Sequence, residues 1–275
     1  MSIVFYNSEY VDSSDVKISI ENRAFNYGDG FFETVKIINS NIFNFSVHYL
    51  RIIESCSILS LDFNYGEKEL SRVIETLLIK NKIFNGTVKL HFSRDSKGKY
   101  LPFSSEVNLL IITNKGEGFN VVKPVKLCFY TDEIKTKNKL STIKSCNALV
   151  YVLSSIYARE NNFENAILFN TDDKVIECSN SNIFIVKEDI IYTPALSDGC
   201  VSGAMRGWVL NNENVIENSL SKKVILNADE IFITNAVSGI IPVKRVEETE
   251  FFSFEHSTKL QKVLIHQYLK PKANK

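Results

Sequence analysis

Little in this sequence advertises a macromolecular partner. Lys and Arg together number 32 and Asp and Glu 32, leaving no net charge, which argues against a nucleic-acid or acidic-membrane partner. No apolar run approaches the ~20 residues of a spanning helix. The opening residues, MSIVFYNSEY, lack the basic-then-apolar layout of a secretory signal. A soluble, unexported, cytoplasmic protein is expected. Cysteine is sparse: Cys56, Cys128, Cys146, Cys178 and Cys200 form an odd set with no Cys-x-x-Cys pair, which argues against a disulfide framework or a zinc site and leaves reduced thiols as the simplest state. His48, His91, His256 and His266 lie far apart without metal-ligand spacing. There is no Gly-x-Ser-x-Gly elbow, Walker-type loop, internal repeat or low-complexity tract.

What the chain does have is core-forming material: 44% of its 275 residues are hydrophobic, enough for one large domain or two smaller ones. Short β-rich runs are predicted at Ile3 to Tyr6, Val16 to Ile20, Phe31 to Ile38 and Ile42 to Phe45, with a hairpin turn at Asn39-Ser40-Asn41. Tyr27-Gly28-Asp29-Gly30 reads as a tight bend. Ser46 is a candidate cap for a helix over 47–60 with Tyr49, Ile52, Ile53, Cys56 and Leu59 inward. Arg51 lies beside that stripe, and the pattern alone makes it a solvated charge. A helix from Glu67 to Lys80 repeats Leu70, Val73, Ile74, Leu77 and Leu78 at core spacing. Strands follow at Thr87 to Ser93 and Val107 to Thr113, separated by RDSKGKYLP (Arg94 to Pro102), a connector or a loop over a pocket. The break NKGEGFN suggests a division into an N-terminal domain over 1–115, a linker over 116–122 and a C-terminal domain over 123–275. Beyond it, strands are expected at Val125 to Tyr130, Ile231 to Thr234 and Ile240 to Arg245, and a last helix around Ser257 to Tyr268.

Chemistry concentrates between Ser141 and Arg206. Lys144 stands where a β-like run, Leu140 to Ile143, gives way to an amphipathic helix with Leu149, Val152, Leu153, Ile156 and Tyr157 on one face. At a helix N-terminus the dipole disfavours a lysine's charge and readies its amine as a nucleophile. Glu177 ends a short strand and precedes Cys-Ser-Asn-Ser-Asn. Ser202-Gly203-Ala204-Met205-Arg206 opens a helix whose free N–H groups suit an anion. An amine, a carboxylate and an anion cradle match the aldehyde, ring nitrogen and phosphate of pyridoxal phosphate.

These residues carry a resemblance. RAFNYGDGFFET (Arg23 to Thr34), HYLRI (His48 to Ile52), TIKSCNAL (Thr142 to Leu149), ECSNSNIF (Glu177 to Phe184), TPALSDGCVSGAMR (Thr193 to Arg206) and ADEIFITNAVSGIIPV (Ala228 to Val243) resemble, in order, the motifs of fold-type IV pyridoxal-phosphate enzymes, the class IV aminotransferase family. The resemblance implies a two-domain α/β (α+β) fold: an N-terminal α/β sandwich and a C-terminal pseudo-barrel with helices that binds the cofactor. It implies a homodimer acting on a small-molecule amine. Lys144 would be the catalytic residue and carry the cofactor. Arg51, Glu177, Ser179, Asn180, Gly203, Ala204, Met205, Asn235 and Ala236 would hold it, Arg51 through the phosphate and Glu177 through the ring nitrogen. Phe32, Arg94 and Lys99 would meet substrate. Met205 replaces the usual threonine of the phosphate turn, which shifts that role toward backbone N–H groups and Arg51.

Within the family, Lys-x-x-Asn-x-Leu at Lys144 to Leu149, Arg94-Asp95-Ser96 with Gly98, and Thr234-Asn235-Ala236 before Ile241-Pro242-Val243 are closest to aminodeoxychorismate lyases, which release pyruvate and 4-aminobenzoate and serve folate biosynthesis. Leu149 and the Asn235 to Gly239 segment depart from the branched-chain aminotransferases. Phe32, Lys99 and Leu101 leave the carboxylate trap of the D-amino-acid aminotransferases incomplete. Glu33 stands where the lyases often have threonine, so an amino-acid aminotransferase, branched-chain or D-amino acid, is the alternative, and a binding protein on the same fold that has lost catalysis is a further one.

Overall fold

The structure, a computed structural model, describes residues 2–269, which fall into two compact units. Unit 1 runs to Gly118 and takes in Ile143–Asn147; unit 2 comprises Phe119–Thr142 and the chain from Ala148 onward. The chain therefore returns to unit 1 for five residues, Lys144 among them, an excursion that a single linker does not provide for.

Unit 1 is built from β1 (Ile3–Tyr6), β2 (Glu9–Asp12), α1 (Arg23–Tyr27), β3 (Gly30–Ile38), β4 (Asn41–Ile42), α2 (Phe45–Leu59), α3 (Glu67–Asn81), β5 (Gly86–Arg94) and β6 (Val107–Lys115). Its strands form one antiparallel sheet in the order β2-β1-β6-β5-β3-β4. Alternation decides the faces. Phe31, Val35 and Ile37 of β3 and Val88, Leu90 and Phe92 of β5 join Ile52 of α2 and Leu70, Ile74 and Leu77 of α3 in the core. The intervening Phe32, Thr34, Lys89 and His91 are half-buried and belong to the other face.

Unit 2 contains β7 (Val125–Phe129), α4 (Leu149–Glu160), β8 (Asn165–Phe169), β9 (Val175–Cys178), β10 (Asn182–Lys187), β11 (Ile190–Thr193), α5 (Ala204–Asn212), β12 (Val215–Glu217), α6 (Lys222–Leu226), β13 (Glu230–Asn235), β14 (Gly239–Val246), β15 (Thr249–Glu250) and α7 (Glu255–Leu269). A nine-stranded mixed sheet follows the order β12-β11-β10-β13-β14-β7-β8-β9, with β15 on β14. β9, at one end of that path, turns back beside β10 through the Cys178–Ser181 bridge, so the sheet curls into a pseudo-barrel. Leu127, Ile167, Ile183, Ile185, Ile231, Ile233 and Val243 line one side with Ile225 of α6. On the other, Phe184 and Phe232 stack at 4.9 Å where α5 and α7 pack. A strand covered on both faces has no polar side to alternate, which is why β10 and β13 read as continuous apolar runs.

Several expectations change. Val16 to Ile20 is not a strand: no neighbour pairs with it, and Ile18 and Ile20 are exposed. The run Ile42 to Phe45 stops after Ile42 because α2 begins at Phe45, capped by Asn44 in the left-handed region; Ser46 lies inside the helix and bonds Glu67 at 2.5 Å. Ile53 faces outward. Leu140 to Ile143 forms bends, and α4 starts only at Leu149. Lys144 is thus no helix-terminal lysine, and the dipole argument for its amine falls. The apolar stripe of α4 turns outward as well: Leu149, Val152, Leu153 and Ile156 are 37 to 74% exposed, whereas Tyr151, Ser154 and Ala158 face the sheet.

Candidate active site

Lys144 is placed by backbone pairing with the start of β3. Phe32 N–H donates to Lys144 O at 3.0 Å and Cys146 N–H to Gly30 O at 2.9 Å, with Phe31 and Ser145 forming a bridge. The preceding bend favours glycine at Gly28. Its φ is +66°, and a Cβ there would meet Asn147 Oδ1 at 2.4 Å. Lys144 Nζ stands 4.7 Å from the Phe32 ring centroid, and Lys89 Nζ 5.0 Å from it. His91 is opposite Phe32 in the sheet, where burial first and the Lys89 charge second hold its imidazole below the usual range.

Behind β3, Glu33 is the hub of a buried cluster. Arg51 donates Nε to Glu33 Oε1 and Nη2 to Oε2, both at 2.6 Å, and His48 Nδ1 lies 2.7 Å from Oε2. Burial alone would raise this carboxyl; the Arg51 charge and the His48 bond reverse that and hold it at about 2. Arg51 is therefore an inward ion-pair partner, contrary to the solvated reading of its helix pattern. Arg94 is likewise taken up within unit 1. Its Nε reaches Asp29 Oδ2 at 2.9 Å, and its other nitrogens the Ser60 and Leu59 carbonyls at 3.0 and 2.5 Å. Arg94 closes the end of α2 onto the Asp29 bend. Lys99 is exposed, and its carbonyl accepts from Arg23 at 2.6 Å.

In unit 2, Glu177 is almost fully buried. Oε1 accepts from Lys135 Nζ at 2.6 Å and from Tyr151 Oη at 2.8 Å, and Oε2 from the Val201 N–H at 2.9 Å. Ser179 turns inward to Ser154 Oγ at 2.8 Å. Asn180 accepts from Asn165 Nδ2 at 2.8 Å and Ser181 Oγ at 2.9 Å, while Asn235 accepts from the Val237 and Ser238 N–H groups at 3.0 and 2.8 Å and donates to Ser181 at 3.1 Å. The side chains of Asn180 and Asn235 thus meet at Ser181 and tie their two turns together, whereas Ser179 is tied to α4. Gly203 caps α5, and a Cβ there would collide with Asn182 Oδ1 at 1.9 Å. Asn182 donates to Val201 O at 2.9 Å and fixes the approach to the helix. Met205 is 1% exposed, so its side chain is packed inside the unit.

Unit 2 offers a buried carboxylate with an acceptor position to spare and a helix N-terminus opened by glycine, which fit the ring nitrogen and the phosphate of pyridoxal phosphate, and unit 1 offers the primary amine of Lys144. The class IV aminotransferase family model ("Amino-transferase class IV") matches residues 30–246. The chain belongs to the class IV aminotransferases. Among similar proteins, the D-alanine aminotransferase of Staphylococcus epidermidis is 26% identical over 256 residues, covering 90% of each chain. A branched-chain aminotransferase of Thermoproteus uzoniensis superposes with a TM-score of 0.89 at 21% identity, covering 96% of this chain and 93% of the other. A putative 4-amino-4-deoxychorismate lyase of Legionella pneumophila does so at 0.85 and 26% identity, covering 93% and 97%. Class IV aminotransferases are pyridoxal-phosphate enzymes, transaminases or lyases, and this chain is an enzyme of that kind.

Lys135 and Tyr151 are the site residues that sequence reasoning missed. Tyr151 sits seven positions after Lys144 on the inward side of α4, a face hidden by the more obvious apolar stripe. Lys135 lies in a polar stretch with no periodicity, and only the fold brings it to Glu177. The five cysteines are free thiols. Burial comes first among the causes that raise Cys146 and push Cys56, Cys128 and Cys200 up to about 12, so none is poised as a nucleophile.

Proposed function

We propose that this class IV enzyme is a 4-amino-4-deoxychorismate lyase, releasing pyruvate and 4-aminobenzoate. The observation that carries the reading is Phe32 against Lys144: the aromatic ring 4.7 Å from the amine brings no hydroxyl to a substrate carboxylate. Leu101 is exposed and apolar where a D-amino-acid aminotransferase places a carboxylate-binding side chain. The Asn235 turn, closed on its own backbone, keeps the Asn-Ala pattern of the lyases.

Pyridoxal phosphate, when bound, supplies an electron-withdrawing ring that stabilises negative charge at the carbon beside the substrate nitrogen. The chain's own residues do the rest. Lys144 would hold the cofactor through its amine, and the same Nζ, as a free base with substrate in place, would take the proton from that carbon. Glu177 accepts the ring N–H. Backbone N–H groups of Ala204 and Met205 at the start of α5 would receive the phosphate, and the family resemblance gives Arg51 a part in the same role. The neighbouring ring carbon–oxygen bond would then break with its electron pair leaving on the enolpyruvyl oxygen, the leaving group would take up the proton that Lys144 Nζ removed and become pyruvate, and the ring would gain aromaticity.

The second reading is a D-amino-acid aminotransferase, favoured by the D-alanine aminotransferases among its relatives and by Glu33. One assay separates them. Incubation with aminodeoxychorismate is expected to release pyruvate with 4-aminobenzoate. Conversion of D-alanine and 2-oxoglutarate with no 4-aminobenzoate formed would establish the transaminase instead. We also propose a cytoplasmic homodimer, supported by the exposed stripe of α4 and by Tyr100, Leu101 and Phe103 standing exposed on one loop.

A further inference from the structure

Glu177 carries more donors than a carboxylate that merely faces a ligand needs. A carboxylate offers about four lone-pair positions, and among the described residues three donors reach this one, two on Oε1 and one on Oε2. We propose that Tyr151 and Lys135 are positioning residues that fill Oε1, so that the open position on Oε2 takes the cofactor's ring N–H and the proton stays on the ring nitrogen. This rests on the cofactor role assigned to Glu177 above.

The geometry makes the two donors one device. Lys135 is anchored at both ends: its N–H donates to Phe169 O at 3.0 Å, and its ammonium also donates to Ser141 O at 2.8 Å. That ammonium stands 5.4 Å from the Tyr151 ring centroid, so cation and phenol meet Oε1 side by side. Tyr151 is held from below by α4, whose Ser154 ties to Ser179 directly after β9. Burial first, and the Glu177 charge second, raise the phenol above its usual range, so it remains a donor. The Val201 N–H pins Oε2 from the loop leading into α5.

The consequence is chemical. Where a buried N–H and a carboxylate oxygen share a proton, the more basic atom keeps it, and hydrogen bonds to the ionised carboxylate lower its basicity. Two donors on Oε1 therefore favour the protonated ring, the form that withdraws electrons. Remove either, and the proton moves toward Oε2.

The test uses holoenzyme reconstituted with pyridoxal phosphate isotope-labelled at the ring nitrogen. The nitrogen NMR shift of the wild type is compared with those of Tyr151→Phe, Lys135→Met and Lys135→Arg, alongside cofactor Kd. In Tyr151→Phe and Lys135→Met the shift is expected to move toward the unprotonated ring and Kd to rise about tenfold, the size of one lost charge-assisted hydrogen bond. Lys135→Arg, which keeps the charge, should retain the wild-type shift. If Lys135→Met does not fold, Tyr151→Phe decides alone. Unchanged shifts in variants that still take up the cofactor overturn the proposal and leave the role of Glu177 standing. Wild-type protein that takes up no cofactor overturns both.

Discussion

Single side chains divide here into those that do chemistry and those that hold a charge in place. Lys144 belongs to the first kind: Lys144→Ala should abolish the visible absorbance of the cofactor-loaded protein while circular dichroism stays native. Persistent absorbance would remove Lys144 from its role. Glu33 belongs to the second. Its folded value of about 2 lies below the ordinary 4.5, so its ionised form stabilises the fold above pH 4.5, and that contribution is lost as pH falls toward 2. Urea unfolding of wild type and Glu33→Gln across that window should show a steeper slope in the wild type than in the variant, which keeps the contribution of Asp29. Arg51→Ala strips the partner from a buried carboxylate and should cost about 3–5 kcal/mol of stability. Cofactor retention alone is thus a poor measure of Arg51, and the unfolding midpoint must be read with it.

At the scale of elements, the Gly28 bend and the five-residue excursion that carries Lys144 form one piece. Gly28→Ala puts a side chain into the left-handed region, worth about 1–2 kcal/mol, and presses on Asn147, three residues from Lys144. A lower unfolding temperature with weaker cofactor uptake is expected. Loss of stability with uptake unchanged would show that the bend does not position the amine. The same scale explains why α4 was legible as a helix but not in its orientation. Its strong stripe at Leu149, Val152, Leu153 and Ile156 obeys helical spacing, yet the weaker face with Tyr151, Ser154 and Ala158 packs inward. Periodicity reports that a face is apolar, not what covers it.

For the molecule as a whole, that outward stripe bears on assembly. Under the proposed homodimer, Val152→Glu with Ile156→Lys should shift the protein toward monomer in sedimentation velocity, because a charge in an apolar contact is costly to bury. A wild-type protein that sediments as an active monomer would overturn the dimer. Among the described residues no helix is long and apolar enough to cross a membrane.

The sequence by itself determined the elements whose pattern is local and the family to which their motifs belong. Alternation in β3 and β5, the spacing of α3 and the continuous runs of β10 and β13 are set by near neighbours and survive without tertiary context. Lys144, Glu177 and the Gly203 turn could be picked out because each sits in a motif. Only the tertiary structure decided what surrounds them: Arg51 and His48 converging on Glu33, Arg94 closing onto Asp29, and Lys135 and Tyr151 meeting on one oxygen of Glu177. Those partners lie 15 to 65 residues apart along the chain, with no spacing rule to join them. A buried charge takes its partner from wherever the fold delivers one, so that choice is written in space and not along the sequence.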